Sequence, residues 1–186
     1  MRKLIAAINM TLDGNADHTA GIPDDEIHQH YADLLRNAGI VLYGRVTYQL
    51  MEYWRTVLEN PTGNKSIDDF AVVMDRTPKL VFSHTLKSLD WKSAKLAERD
   101  IETEVSELKK QSGKDAYVGS PGLITALANL KLIDEYQICI HPVIAGRGLP
   151  LFENIKERTV LKLINTKTFS GGAVIHYYKP SAEKNV

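Results

Sequence analysis

The chain alternates between short runs of consecutive apolar residues and longer stretches in which apolar residues recur every three or four positions. Residues 3–8, 40–43, 79–83 and 116–118 are such runs (Leu4-Ile5-Ala6-Ala7-Ile8 is the first), and each predicts a strand buried on both faces. A short strand is also expected near Leu96. Between the runs, Ile27, Tyr31, Leu34 and Leu35 follow a capping Asp24 and end at Gly39. Val46, Leu50 and Tyr53 follow Gly44-Arg45 as one helix, and Ser66 caps a helix reaching about Asp75. Ile101, Val105 and Leu108 form a stripe between Asp100 and Gly113. Ser120 and Pro121 open a helix to about Asn129, because Pro at the first helical position gives up an N–H that had no partner there. Later, Tyr136, Ile138 and Ile140 alternate with Gln137, Cys139 and His141 up to Pro142, the period of a strand. Segments 160–165 and 173–179 are two more strands, joined as a hairpin through Ser170-Gly171-Gly172.

Strands alternating with helices predict an α/β fold of three layers, α/β/α, around a mixed, mostly parallel sheet. The C-terminal hairpin adds antiparallel strands at one edge. One domain over residues 1–180 and a polar tail at 181–186 are expected.

Composition narrows the function. The 23 basic and 23 acidic residues cancel, which leaves no electrostatic footprint for nucleic acid or an anionic membrane. Cys139 is the single cysteine, so no intrachain disulfide and no cysteine-based zinc site is expected, and a reducing cytoplasm is the simplest setting. His28 and His30 stand two apart on a helix and face different ways, so no metal site is expected. The apolar start is too short for a signal-peptide core or a membrane span.

In a parallel sheet, ligands bind beyond the carboxyl ends of the strands. The segments Asn9 to Gly14, Gly44 to Thr47, Ser83 to Thr85 and Gly119 to Gly122 all fall at such ends and so share one rim. Gly44-Arg45-Val46-Thr47 places a glycine, a guanidinium and a hydroxyl at a helix start, and Gly119-Ser120-Pro121-Gly122 repeats the device. Two phosphate-type sites and a third polar strand end fit an extended ligand such as a dinucleotide.

Strand plus Gly44-Arg45-x-Thr47-Tyr48, strand plus Ser83-His84-Thr85, then strand plus Gly119-Ser120-x-Gly122, in that order, resembles the dihydrofolate reductase fold. Thr11-Leu12-Asp13-Gly14 and the stretch from Pro142 to Phe152 are closer to its riboflavin-biosynthesis branch, the C-terminal reductase domain of the bifunctional deaminase-reductase. The resemblance implies a stand-alone NADPH-dependent reductase, similar to 5-amino-6-(5-phosphoribosylamino)uracil reductase, acting on a small heterocyclic or sugar-like substrate. It places Gly44, Arg45, Thr47 and Ser83 at the cofactor's phosphates and adenosine end. It places Gly119, Ser120, Gly122, Leu123 and Ile124 at the pyrophosphate and nicotinamide side. Asp13 is the candidate proton source, and Asn9, Asp13, Gly14 and Trp54 border the substrate. A homodimer through the C-terminal strands is the implied assembly.

Two positions depart from the family pattern. Where folate reductases carry a carboxylate on the first long helix, this chain has His28, and Val118 stands where the riboflavin branch often has a carboxylate. A broad-specificity pterin or folate reductase and a non-catalytic NADP-binding sensor or assembly protein remain as alternative readings.

Overall fold

The computed structural model describes residues 1–181. Its strands and helices follow the order β1 (Leu4–Thr11), α1 (Asp25–Asn37), β2 (Ile40–Gly44), α2 (Arg45–Met51), α3 (Tyr53–Glu59), α4 (Lys65–Arg76), β3 (Lys79–Phe82), β4 (Ala94–Leu96), α5 (Ile101–Lys110), β5 (Ala116–Val118), α6 (Pro121–Asn129), β6 (Glu135–His141), β7 (Leu161–Thr168) and β8 (Val174–Pro180). The eight strands form one sheet in the order β4-β3-β2-β5-β1-β6-β8-β7. All pairs from β4 to β6 are parallel, and β8 joins β6 and β7 antiparallel. The mixed sheet with its antiparallel hairpin is the architecture expected from the pattern. Apart from Ser181, the polar tail lies outside the described residues.

Period-two alternation divides the core between two faces. Leu4, Ala6 and Ile8 of β1, Leu42 of β2 and Val118 of β5 pack with Val105 and Leu108 of α5 and Ile124 and Leu127 of α6. Val41 and Tyr43, on the other face of β2, pack with Ala32 and Leu35 of α1 and Phe70, Val73 and Met74 of α4. Full burial of each Leu, Ile, Val, Phe or Met side chain among these contributes roughly 1.5–3 kcal/mol. Helices on both faces explain why the central strands read as continuous apolar runs.

The local signals hold in part. Asp24 caps α1, its side chain accepting from the Ile27 N–H, and Asp100 caps α5 through the Thr103 N–H. At α4 the cap is Asn64 rather than Ser66: Asn64 Oδ1 accepts from the amides of Ser66 and Ile67. The Ser66 hydroxyl instead donates to Asp25 Oδ1 at 2.6 Å and ties α4 to the start of α1. The periodic stretch from Arg45 to Glu59 is two short helices meeting at Glu52, not one. Strand β1 continues through Met10 and Thr11, beyond the expected end at Ile8, because β6 stays alongside it to the Thr11–His141 pair.

Candidate active site at the strand tips

The short central strand β5 creates the site. It pairs with β1 only from Leu4 to Ala6 and with β2 only from Ile40 to Leu42, then turns into α6 after Val118. A crevice therefore opens above its tip, flanked by Gly44 of β2 on one side and by residues 7–11 of β1 on the other. The helices following β2 and β5 lie on opposite faces of the sheet, so the crevice is a topological switch point.

Ser120 occupies the N-cap position of α6 but makes no cap bond with its side chain. Buried in the crevice, its Oγ accepts from the Gly44 N–H at 2.9 Å and fastens the two strand–glycine–helix turns together. Three glycines line this junction, and none has a positive φ. A Cβ on Gly122 would meet nothing within 4 Å, one on Gly44 would come to 3.7 Å from Leu123 Cγ, and one on Gly119 to 3.4 Å from the Ala7 carbonyl. The chain's own backbone does not require glycine at any of the three. What the missing side chains provide is open access to the backbone at the crevice, the feature a pyrophosphate needs. Arg45 is exposed on the first turn of α2, its Nη1 donating to Gln49 Oε1 at 3.1 Å, and Thr47 lies half-buried beside it.

Two of the expected site residues are engaged within the fold itself. Ile124 is 0% exposed, packs in the core, and donates its N–H to the Ser120 carbonyl, so it has nothing to offer a ligand. Asp13 is engaged as a clasp: its carboxylate accepts from the Thr11 hydroxyl, from the Gly146 N–H at 2.7 Å and from the Ala145 N–H at 3.2 Å. The Thr11 hydroxyl first, and then these two amides, hold its pKa down at about 2. A carboxylate so stabilised is ionised at neutral pH and has no proton to give. Ser83 Oγ is also in use, accepting from the amides of Thr85 and Leu86 to close its own turn.

Asp13 belongs to a seam between the β1–α1 and β6–β7 loops. Leu12 N–H donates to Val143 O, Ala16 N–H to Leu149 O, and Leu151 N–H to Gly14 O. Buried Asn15 adds a bond from Nδ2 to Arg147 O and accepts the Leu149 N–H at Oδ1, both near 2.9 Å. Gly14 (φ 83°) makes the left-handed turn that brings the loops together. The seam covers the end of the crevice beside β1.

On the α1 side, a polar chain invisible in the sequence crosses three elements. Ile22 N–H reaches His141 Nδ1 at 3.2 Å, His141 Nε2 lies 3.1 Å from Asn9 Oδ1, and the Tyr31 hydroxyl donates to the same Asn9 oxygen at 3.1 Å. Burial lowers the His141 pKa and raises that of Tyr31 well above the ordinary phenol value. Cys139, next to His141, is pushed up to about 12 by burial and is an unreactive thiol. One turn before Tyr31, His28 donates from Nδ1 to the Asp24 carbonyl and meets the ring of Trp54 edge-on at 6.1 Å. Trp54 packs in turn on Phe70 at 4.5 Å, so it walls the α1 side of the rim. Sequence reasoning reached Asn9 and Trp54 but missed Tyr31 and His141. The one available signal was a histidine in a strand whose neighbours are apolar.

A separate open cavity of ≈ 490 Å³, lined by Arg55, Asp75, Arg76, Trp91 and Ser93 among others, lies beside the amino ends of β3 and β4, at the opposite end of the sheet.

Comparison with known proteins places this rim in context. Residues 2–176 match the family model described as the RibD C-terminal domain. The Bacillus subtilis protein YyaP is 36% identical over 177 residues, covering 93% of this chain and 92% of its own, and YwjB of the same organism is 25% identical over 185 residues. Among solved structures, a putative riboflavin biosynthesis protein from Shewanella superposes with a TM-score of 0.72 at 17% identity, covering 96% of this chain and 99% of the other. A deaminase/5-amino-6-(5-phosphoribosylamino)uracil reductase from Thermotoga maritima superposes with a TM-score of 0.66 at 17% identity, and this chain spans 57% of its length.

Proposed function

The chain belongs to the RibD C-terminal domain family, and from that premise we propose that it is an NADPH-dependent reductase of a small heterocyclic or sugar-like substrate. The observation that carries the reading is the glycine-lined junction at the switch point. Side chains are absent at Gly44, Gly119 and Gly122, although a Cβ would meet open space at Gly122 and nothing nearer than 3.4 Å at the other two.

These residues fit a dinucleotide. The open backbone at Gly119 and Gly122 would admit the pyrophosphate, with Leu123 flanking it. Arg45 and Thr47 would hold the phosphate of the adenosine end, since a guanidinium and a hydroxyl both donate to phosphate oxygens. When bound, the cofactor supplies a hydride, and the protein's share is to position the substrate and exclude water. The two-loop seam and the Trp54 wall serve that exclusion. With Asp13 ionised in its clasp, we assign the accompanying proton to water. With His28 standing where folate reductases carry a carboxylate, that position offers no carboxylate to pair with a protonated pterin, which weighs against such a substrate. Among the described residues no helix is long and apolar enough to cross a membrane. A reducing cytoplasm suits a chain whose single cysteine, Cys139, is a free buried thiol.

Calorimetric titration tests the reading. NADPH is expected to bind roughly tenfold or more tighter than NADH, and Arg45→Ala is expected to remove most of that difference. Absence of binding by both cofactors would sink the reductase assignment, and an equal loss for both in Arg45→Ala would remove Arg45 from the 2′-phosphate.

A further inference from the structure

The open cavity of ≈ 490 Å³ beside the amino ends of β3 and β4 takes no part in the reductase reading. Three separate elements wall it: α3, the last turn of α4 and the loop before β4. Trp91 lies at its base, 3% exposed, with Nε1 donating to Asp75 Oδ1 at 2.7 Å. Lys79 Nζ approaches the ring centre to 3.9 Å, and the Arg55 guanidinium carbon lies 6.0 Å from it. The indole is pinned by a carboxylate and a cation, which makes it a rigid base rather than a gap left by loose packing.

The charges around that base are not paired with one another. Arg55 meets only Glu52, at 3.8 Å, and its guanidinium makes no hydrogen bond among the described residues. The side chains of Glu59, Arg76, Asp90 and Lys92 have neither a hydrogen bond nor an ion pair among the described residues. With Arg55 and Asp75, the lining holds three basic and three acidic residues. A simple anion would meet the carboxylates and a simple cation the basic groups, whereas a ligand carrying both signs gains from each. Helix α3 sets the length of that ligand. Arg55 and Glu59 stand one turn apart on the same side of it, about 5.4 Å along the axis. The two charges of a single amino acid are too close together to span that rise, while a two-residue peptide reaches about 7 Å end to end. Leu58, 36% exposed on the same helix, offers the uncharged middle an apolar contact. We propose that this cavity is a second ligand site, for a zwitterion of dipeptide size. Arg55 and Arg76 hold its carboxylate, and Glu59 and Asp90 hold its ammonium group.

Nuclear magnetic resonance on ¹⁵N-labelled protein tests this with three matched compounds, read at the Trp91 indole N–H. Glycylglycine carries both charges, N-acetylglycine only the carboxylate, and glycylglycinamide only the ammonium group. Trp54 is the other tryptophan, so Trp54→Phe assigns the signal. Glycylglycine is expected to move the Trp91 signal and to bind about tenfold tighter than either relative. Glu59→Gln should erase its advantage over N-acetylglycine, and Arg76→Gln its advantage over glycylglycinamide. Both side chains are exposed and make no bond among the described residues, so neither change threatens the fold. N-acetylglycine binding as tightly as glycylglycine would make the cavity a plain anion site, and glycylglycinamide doing so a plain cation site; either overturns the proposal. An unmoved Trp91 signal, or variants that keep the parent's order of affinities, overturns it too. The outcome is independent of NADPH binding at the crevice.

Discussion

At the scale of single residues, the rim is defined as much by missing atoms as by present ones. Gly122 is the sharpest case, since it sits in the first turn of α6 with an ordinary backbone and free space where its Cβ would be. Alanine is the better helix former, by up to about 1 kcal/mol in a helix interior. Gly122→Ala should therefore keep or slightly raise the melting temperature while weakening NADPH roughly tenfold, because even a methyl group holds the pyrophosphate off the backbone. Scanning calorimetry and a binding titration on the same variant separate the two effects. A variant that binds as tightly as the parent would show the cradle is not used. Residue-level legibility was uneven for physical reasons. Gly44, Gly119 and Ser120 stand out in sequence because punctuation after a buried run is local. The role of Ser120 does not stand out, since its Oγ serves the Gly44 amide, 76 positions earlier. His141 alternates with apolar neighbours as an outward-facing residue does in a one-sided sheet. This sheet is covered on both faces, so the same alternation buries it.

Among the elements, the junction of α4 and β3 carries a buried charge. Lys79 begins β3 at 1% exposure, and its Nζ donates to the carbonyls of Met74 and Thr77 and to Ser93 Oγ, 3.9 Å from the centre of the Trp91 ring. It satisfies the orphan carbonyls at the end of α4 from within the sheet. Burial pushes its pKa down to about 7, with Asp75 pulling the other way. Between that value and the ordinary 10.5 the unfolded chain holds a proton that the folded chain lacks, so this group makes stability rise with pH, by at most about 1.4 kcal/mol per unit. Below pH 7 both states are protonated and the contribution is flat. Urea midpoints taken near neutrality and about two pH units higher should show this rise in the parent relative to Lys79→Met. An identical pH dependence in the two would exclude it. The sequence marks Lys79 only as the polar start of a strand, because cap satisfaction across a loop has no periodic signature. The break at Glu52 is similarly hidden, since the apolar spacing runs through it unchanged.

For the whole molecule, the sheet ends in two edge strands, β4 with 3 residues and β7 with 8, and β7 presents the longer unpaired side. Leu163 and Ile164 stand on it at 50% and 43% exposure, beside a register shift at Leu163/Asn165. A bulge and the flanking Lys162 and Lys167 are common guards against indiscriminate pairing, whereas two apolar residues invite one specific partner. We propose a homodimer through this edge. Sedimentation should give twice the chain mass for the parent and a monomer for Leu163→Lys. A parent protein that sediments as a monomer at micromolar concentration would reject the edge as an interface. The order of strands was not legible from the pattern at all, since periodicity says which residues are strands and nothing about which are neighbours.

The strand order also dictates when the molecule can come into being. Strand β1 is made first, yet its partners are β5, beginning at Ala116, and β6, ending at His141. During synthesis the first strand must wait unpaired while α1 through α5 are made. Only with the arrival of residues 116–141 can the sheet close around it. The glycine-lined junction above β5 forms at that same late moment, so the candidate cradle and the centre of the parallel sheet are completed by one and the same segment of chain. A ribosome-bound fragment lacking that segment has neither.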